Sequence, residues 1–205
     1  GLFAAVVGAQ ARLIAAWMSF GFVHGVMNTD NMAVSGETID YGPCAFLDAY
    51  HPDKVFSSID RKGRYAFAAQ PEMALWNLTQ LASALLPLLG PREAAIEAAT
   101  DTLNGFQPAF EAAWLARFAE KIGIAAPRPE DRALIETLLS RMARLGADFT
   151  RVFSGLSNGT ARGSSRNRRG TPPTPSRRCW APMSAPSRIT LPMSPRFWAI
   201  TRTPT

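Results

Sequence analysis

Three polar side chains early in the chain are of the types that hold a divalent cation and move a proton. Asp30 and Asn31 are adjacent, and Asp40 follows nine positions after Asn31. Mg²⁺ takes hard oxygen donors in octahedral geometry at about 2.1 Å, usually one or two carboxylates or amides with phosphate and water completing the shell. Asn31 and Asp40 supply such a donor set. Asp30 stands beside Asn31, and neighbouring loop residues can face different targets, so it can face a substrate hydroxyl while Asn31 faces metal. Gly42, two residues beyond Asp40, is expected to let the backbone fold sharply behind the carboxylate. The same residues also fit a plain polar turn, in which Asp30 and Asp40 cap helices or bind backbone amides. His24 fits a structural hydrogen-bonder as well as a base or ligand.

The spacing repeats part of a known arrangement. Protein kinases hold Mg²⁺ with an H-R-D-x-x-x-x-N loop and a D-F-G turn. His24 and Asn31 keep the His-to-Asn offset of that loop, and Asp40-Tyr41-Gly42 has the form of the turn with Tyr for Phe. Val26 stands where a kinase has its catalytic Asp, which leaves Asp30 as the only carboxylate in the loop.

A longer set of residues carries a resemblance. Gly21-Phe22-Val23-His24-Gly25-Val26-Met27-Asn28-Thr29-Asp30-Asn31-Met32 resembles the signature of the selenoprotein O family. So do Thr38-Ile39-Asp40-Tyr41-Gly42-Pro43, Phe46-Leu47-Asp48, Gly63-Arg64-Tyr65-Ala66-Phe67, Gln70-Pro71, Trp76-Asn77-Leu78, Asp148-Phe149-Thr150 and Phe153. The resemblance covers residues 1–157. It implies a protein-kinase-like fold, pseudokinase by sequence, of which this chain would be part of the large C-terminal lobe. The family's small lobe, with its nucleotide-binding Lys, is expected upstream of Gly1. The implied reaction is transfer of AMP from ATP to Ser, Thr or Tyr hydroxyls of proteins, with the nucleotide reversed so that its α-phosphate is presented. The resemblance makes Asp30 the proton acceptor and Asn31 and Asp40 the ligands of Mg²⁺ (or Mn²⁺), with Asp40 also beside ATP. The fragment by itself is expected to be inactive. A non-catalytic pseudokinase scaffold that binds a partner protein is the alternative. Cys44 departs from the family pattern, where an aromatic residue is expected, and is read as a small packing residue.

The elements that must position these residues are mostly helical. Residues 2–20 are apolar nearly all round, with only Gln10 and Arg12 marking a wet side, which predicts a buried helix ended by Gly21. Residues 24–40 read as loop and short strand, with 38–40 a strand end, and residues 41–43 as a turn. Pro71 opens a helix carrying Leu75, Leu78, Leu81, Leu85 and Leu86. A helix from Pro91 to about Leu103, a third over 110–122 and one long amphipathic helix from Leu134 through Val152 follow. Trp76 and Trp114 fall on apolar helix faces and are expected in the core. The cationic run Arg61-Lys62-Gly63-Arg64 reads as a solvated turn.

The formal charge of +6 hides a split. Residues 1–157 hold 13 Lys and Arg against all 16 acids, whereas residues 158–205 hold nine Arg and no acid. That tail also holds half of the 16 prolines. Its composition predicts disorder or the product of a shifted reading frame. It is the one feature that would suit nucleic acid, a partner not expected for the body. Two cysteines exclude a disulfide framework and favour a reducing, cytoplasmic setting. No apolar run reaches the length of a membrane span, the nearest being residues 13–27, and no signal peptide is visible.

Overall fold

The computed structural model describes residues 1–157, so the basic tail and Cys179 lie outside the described residues. The architecture is mainly α, as the periodicity predicts. Among the described residues there are six α-helices: α1 (Leu2–Phe20), α2 (Gln70–Leu85), α3 (Arg92–Asn104), α4 (Phe106–Lys121), α5 (Asp131–Leu145) and α6 (Phe149–Ser157). Two short strands, β1 (Phe22–Val23) and β2 (Ala45–Phe46), pair antiparallel with Phe22 opposite Phe46.

Alanine-rich α1 is the spine. It buries Phe3, Val6, Ile14, Trp17 and Met18, and its most extensive packing is against α4. That partner contributes Phe106, Phe110, Trp114 and Phe118, one every fourth residue and so on a single stripe. Each such side chain stabilises by about 1.5–3 kcal/mol relative to exposure. By length and composition α1 could cross a membrane, contrary to the sequence expectation. Here it is a core helix, with 56% of its most apolar stretch buried inside the protein.

Gly21 ends α1 in the left-handed conformation (φ 71°), donating its N–H to the Met18 and Trp17 carbonyls. A Cβ there would lie 2.8 Å from the Phe149 ring, so both the turn and the close approach of α6 require glycine.

Three sequence expectations are corrected. The third helix starts at Phe106 rather than Phe110, because Pro108 falls in its first turn, where a missing N–H is harmless. The long C-terminal helix is two. Gly146 caps α5 at φ 58°, and α6 then turns onto the 48–50 segment through Phe149 N–H to the Asp48 carbonyl (2.7 Å). Leu134 and Leu145, assigned to the apolar stripe, are exposed. Residues 38–40 form no strand: Thr38 makes a single antiparallel bridge with Met32.

Candidate active site

Residues 21–43 carry all three candidate side chains, and α1 and α2 hold them from two sides. From α1, Gln10 Nε2 donates to the Ala33 carbonyl (2.6 Å) and Trp17 Nε1 to Thr38 Oγ1 (2.8 Å). From α2, Gln70 Oε1 accepts the His24 N–H (3.0 Å), while its Nε2 donates to the Phe22 carbonyl (3.0 Å). One face along, Asn77 Nδ2 donates to the Met27 carbonyl (3.0 Å). Gln70 and Asn77 are seven residues apart and so share a helix face.

Within this frame the segments of residues 24–32 and 38–43 are tied three ways. Fully buried His24 donates from Nε2 to the Ile39 carbonyl (2.8 Å), and its Nδ1 lies 3.4 Å from the Val26 N–H. That network assigns the proton to Nε2. Gly25 (φ 86°) lies against Pro43, where a Cβ would meet the ring and the carbonyl oxygen at 3.0 Å. The Met32–Thr38 bridge runs antiparallel, so Asn31 and Asp40 leave it at the same end, one and two residues beyond the pair. His24 is therefore a structural residue.

Asp30 and Asn31 lie on a 3₁₀ turn, Thr29–Asn31. Asp30 is exposed, and so is Asp40. Among the described residues neither carboxylate accepts a hydrogen bond or forms an ion pair. The acids that do serve as backbone staples are others: Asp60 accepts from Arg64 and Tyr65, Asp131 from Arg128, and Asp148 from Arg151. The plain-turn account of Asp30 and Asp40 thus has no hydrogen bond to rest on. Asn31 donates Nδ2 to the Val26 carbonyl (3.0 Å), and among the described residues its Oδ1 accepts no hydrogen bond, which leaves it as a hard oxygen ligand.

Asp40 is also the one non-glycine residue among those described with a positive φ, 53°. Sequence reasoning put the sharp fold on Gly42, but the unusual conformation falls on the acid itself. Holding a side chain there costs free energy and persists where the surroundings impose it, a pattern concentrated at functional sites. The donor set fits a hard divalent cation: one carboxylate, one amide oxygen, and no sulfur or imidazole. Among the described residues no cluster of three His, Cys, Asp or Glu occurs, so protein ligands alone would leave much of the shell to substrate and water.

A sequence profile described as "Protein adenylyltransferase SelO" matches residues 1–171. The chain belongs to the SelO family. Relatives named "Protein nucleotidyltransferase YdiU" agree. Those of Roseobacter denitrificans and Ruegeria pomeroyi are each 59% identical over 162 residues, covering 79% of this chain and 34% of the relative. The relative from Bradyrhizobium diazoefficiens is 56% identical over 156 residues, covering 76% of this chain and 32% of its own. The SelO-family chain therefore spans about a third of the length of the curated relatives it matches.

The roles of several residues around the candidate site escaped sequence reasoning. Gln10 was assigned to a wet side yet is buried, and a lone amide in an otherwise apolar helix was the available signal. Gln70 and Asn77, polar residues spaced seven apart on an apolar face, carried a similar signal. Trp76 was expected in the core and instead is 43% exposed, with Arg64 over its ring at 4.9 Å. Cys44 is half-buried against the core, its Sγ 3.4 Å from the Tyr41 carbonyl, in keeping with a packing role.

Proposed function

We propose that the complete protein of which this chain is part transfers AMP from ATP to Ser, Thr or Tyr hydroxyls of proteins, on a kinase-like large lobe. The observation that carries the reading is the pair of unengaged carboxylates, Asp30 and Asp40, grouped with Asn31 at one end of the Met32–Thr38 bridge. Membership of the SelO family supports the reaction class.

In this reading Asn31 Oδ1 and the Asp40 carboxylate hold Mg²⁺ or Mn²⁺, which when bound offsets the negative charge of the phosphates. The 3₁₀ turn aims Asp30 at the acceptor. Asp30 takes the hydroxyl proton as that oxygen bonds to the α-phosphorus and the bond to departing pyrophosphate breaks. His24, Gln70 and Asn77 touch no reactant. They fix the two segments, so that few adjustments are needed when the reactants meet. A cytoplasmic setting suits both ATP supply and an unpaired Cys44.

The test uses the complete protein with ATP labelled on the α- or the γ-phosphate. α-Label should appear on an acceptor protein, and Asp30→Ala should lower the rate by about 10²–10⁴-fold. γ-Label on the acceptor would make it an ordinary kinase. Undiminished transfer by Asp30→Ala would remove Asp30 from the role.

A further inference from the structure

Beside the catalytic loop stands a basic turn built with unusual care. Asp60 spends its two carboxylate oxygens on the Arg64 N–H (2.9 Å) and the Tyr65 N–H (2.8 Å), clamping the turn that passes through Gly63 at φ 68°. Tyr65 then donates its hydroxyl to Asn28 Oδ1 (2.7 Å), two residues before Asp30. The turn is thereby fastened to the loop that carries the proposed proton acceptor. Arg64 lies over the Trp76 ring at 4.9 Å and over the Tyr65 ring at 5.8 Å. Arg61, Lys62 and Arg64 are all exposed, and no ion pair among the described residues takes a cation from this turn.

An arginine supported on an aromatic face loses side-chain freedom before any partner arrives, while the N–H edge of its fork stays open. That edge matches a carboxylate, which it can grip with two parallel hydrogen bonds. Trp76 is accounted for in the same way: on the outer side of α2, where its helical neighbours Glu72, Thr79 and Gln80 are polar, it supports Arg64.

We propose that Arg64 on Trp76 receives an acidic side chain of the acceptor protein, close in sequence to the hydroxyl presented to Asp30, with Arg61 and Lys62 extending the positive field. The location of the hydroxyl rests on the proposed function, but the docking itself requires no nucleotide.

The 205-residue chain can therefore be tested without ATP. Fluorescence anisotropy would compare a labelled serine peptide flanked by Asp and Glu with the same peptide flanked by Asn and Gln. The acidic peptide should bind more tightly, and Arg64→Ala should weaken it by about tenfold, the worth of one charge-assisted pair. Trp76→Ala, which leaves the charge in place, should also weaken it. The Arg-rich tail is common to all variants, so the differences between variants, rather than the difference between peptides, isolate Arg64. Reversing Arg128, Arg141 and Arg144 to Glu changes more charge elsewhere and should move affinity by less than about twofold. Equal binding of the two peptides, no effect of Arg64→Ala, or an equal loss from the remote reversals would overturn the proposal. So would Arg64→Ala in the complete protein raising the KM for ATP and not that for an acidic acceptor. Absence of AMP transfer by the complete protein would instead strike the functional reading and leave the peptide result standing.

Discussion

The ring of His24 donates from Nε2 to the Ile39 carbonyl at 2.8 Å, one residue before Asp40. A side chain from the first polar segment thus holds the backbone of the second, beneath the Trp17 ring at 5.3 Å. Replacing His24 by Ala removes the donor and opens a cavity in a fully buried position. The expected loss is about 2–4 kcal/mol, read as a lower urea midpoint at unchanged slope. A change below about 0.5 kcal/mol would mean that the bond does not hold the turn.

The close approach of Gly25 to Pro43 separates two glycines that look alike in sequence. Gly25→Ala must place a methyl 3.0 Å from Pro43 at a φ of 86°, and should cost about 1–3 kcal/mol. Gly42→Ala meets only Asp40 Oδ1 at 3.7 Å, an ordinary contact, and should stay within about 0.5 kcal/mol. Thermal unfolding of the two variants side by side decides the matter, and the reverse order would refute the packing.

Asp40 sets stability against function. Asp40→Gly relieves the positive φ and should make the chain about 0.5–1 kcal/mol more stable. In the complete protein the same change should abolish metal-dependent ATP binding, measured by calorimetry with and without Mg²⁺. A destabilised chain would argue against strain at Asp40, and retained metal dependence would argue against its role as ligand.

Burial pushes the Tyr50 hydroxyl well above its ordinary value of 10.0, and the negative charge of Asp53 adds to the shift. The folded state thus keeps its proton where the unfolded chain gives it up. The stabilisation is complete below about pH 10 and falls as pH climbs toward the folded value. Above about pH 10 the unfolding free energy should fall up to about 1.4 kcal/mol per pH unit more steeply than in Tyr50→Phe. Parallel alkaline limbs for the two proteins would show that Tyr50 does not titrate differently on folding.

Much of the helical framework was legible because helix formation is local. The spacing of Phe110, Trp114 and Phe118, and the glycine after Phe20, each act within a turn or two of chain. The errors arose where local signals compete. Apolar spacing from Leu134 to Val152 is continuous, yet Gly146 in a left-handed conformation lets the chain leave the helix, and the Asp48 carbonyl claims the Phe149 N–H. Trp76 was expected in the core, yet three of its four neighbours at helical spacing, Glu72, Thr79 and Gln80, are polar, and an arginine from another turn covers it outside the core.

The candidate site divides in the same way. Sequence alone named Asp30, Asn31 and Asp40, because residue type and short spacing are properties of a continuous segment, and its motifs carried the family. Their grouping was decided by bonds between residues far apart in the chain: His24 to Ile39 across 15 positions, Gln70 to His24 across 46, and Asn77 to Met27 across 50. Those pairings exist only once α1 and α2 have packed around the loop. Only the tertiary structure could place the strain on Asp40 rather than Gly42, since the backbone there is set by what grips Ile39 and Pro43 from outside the turn.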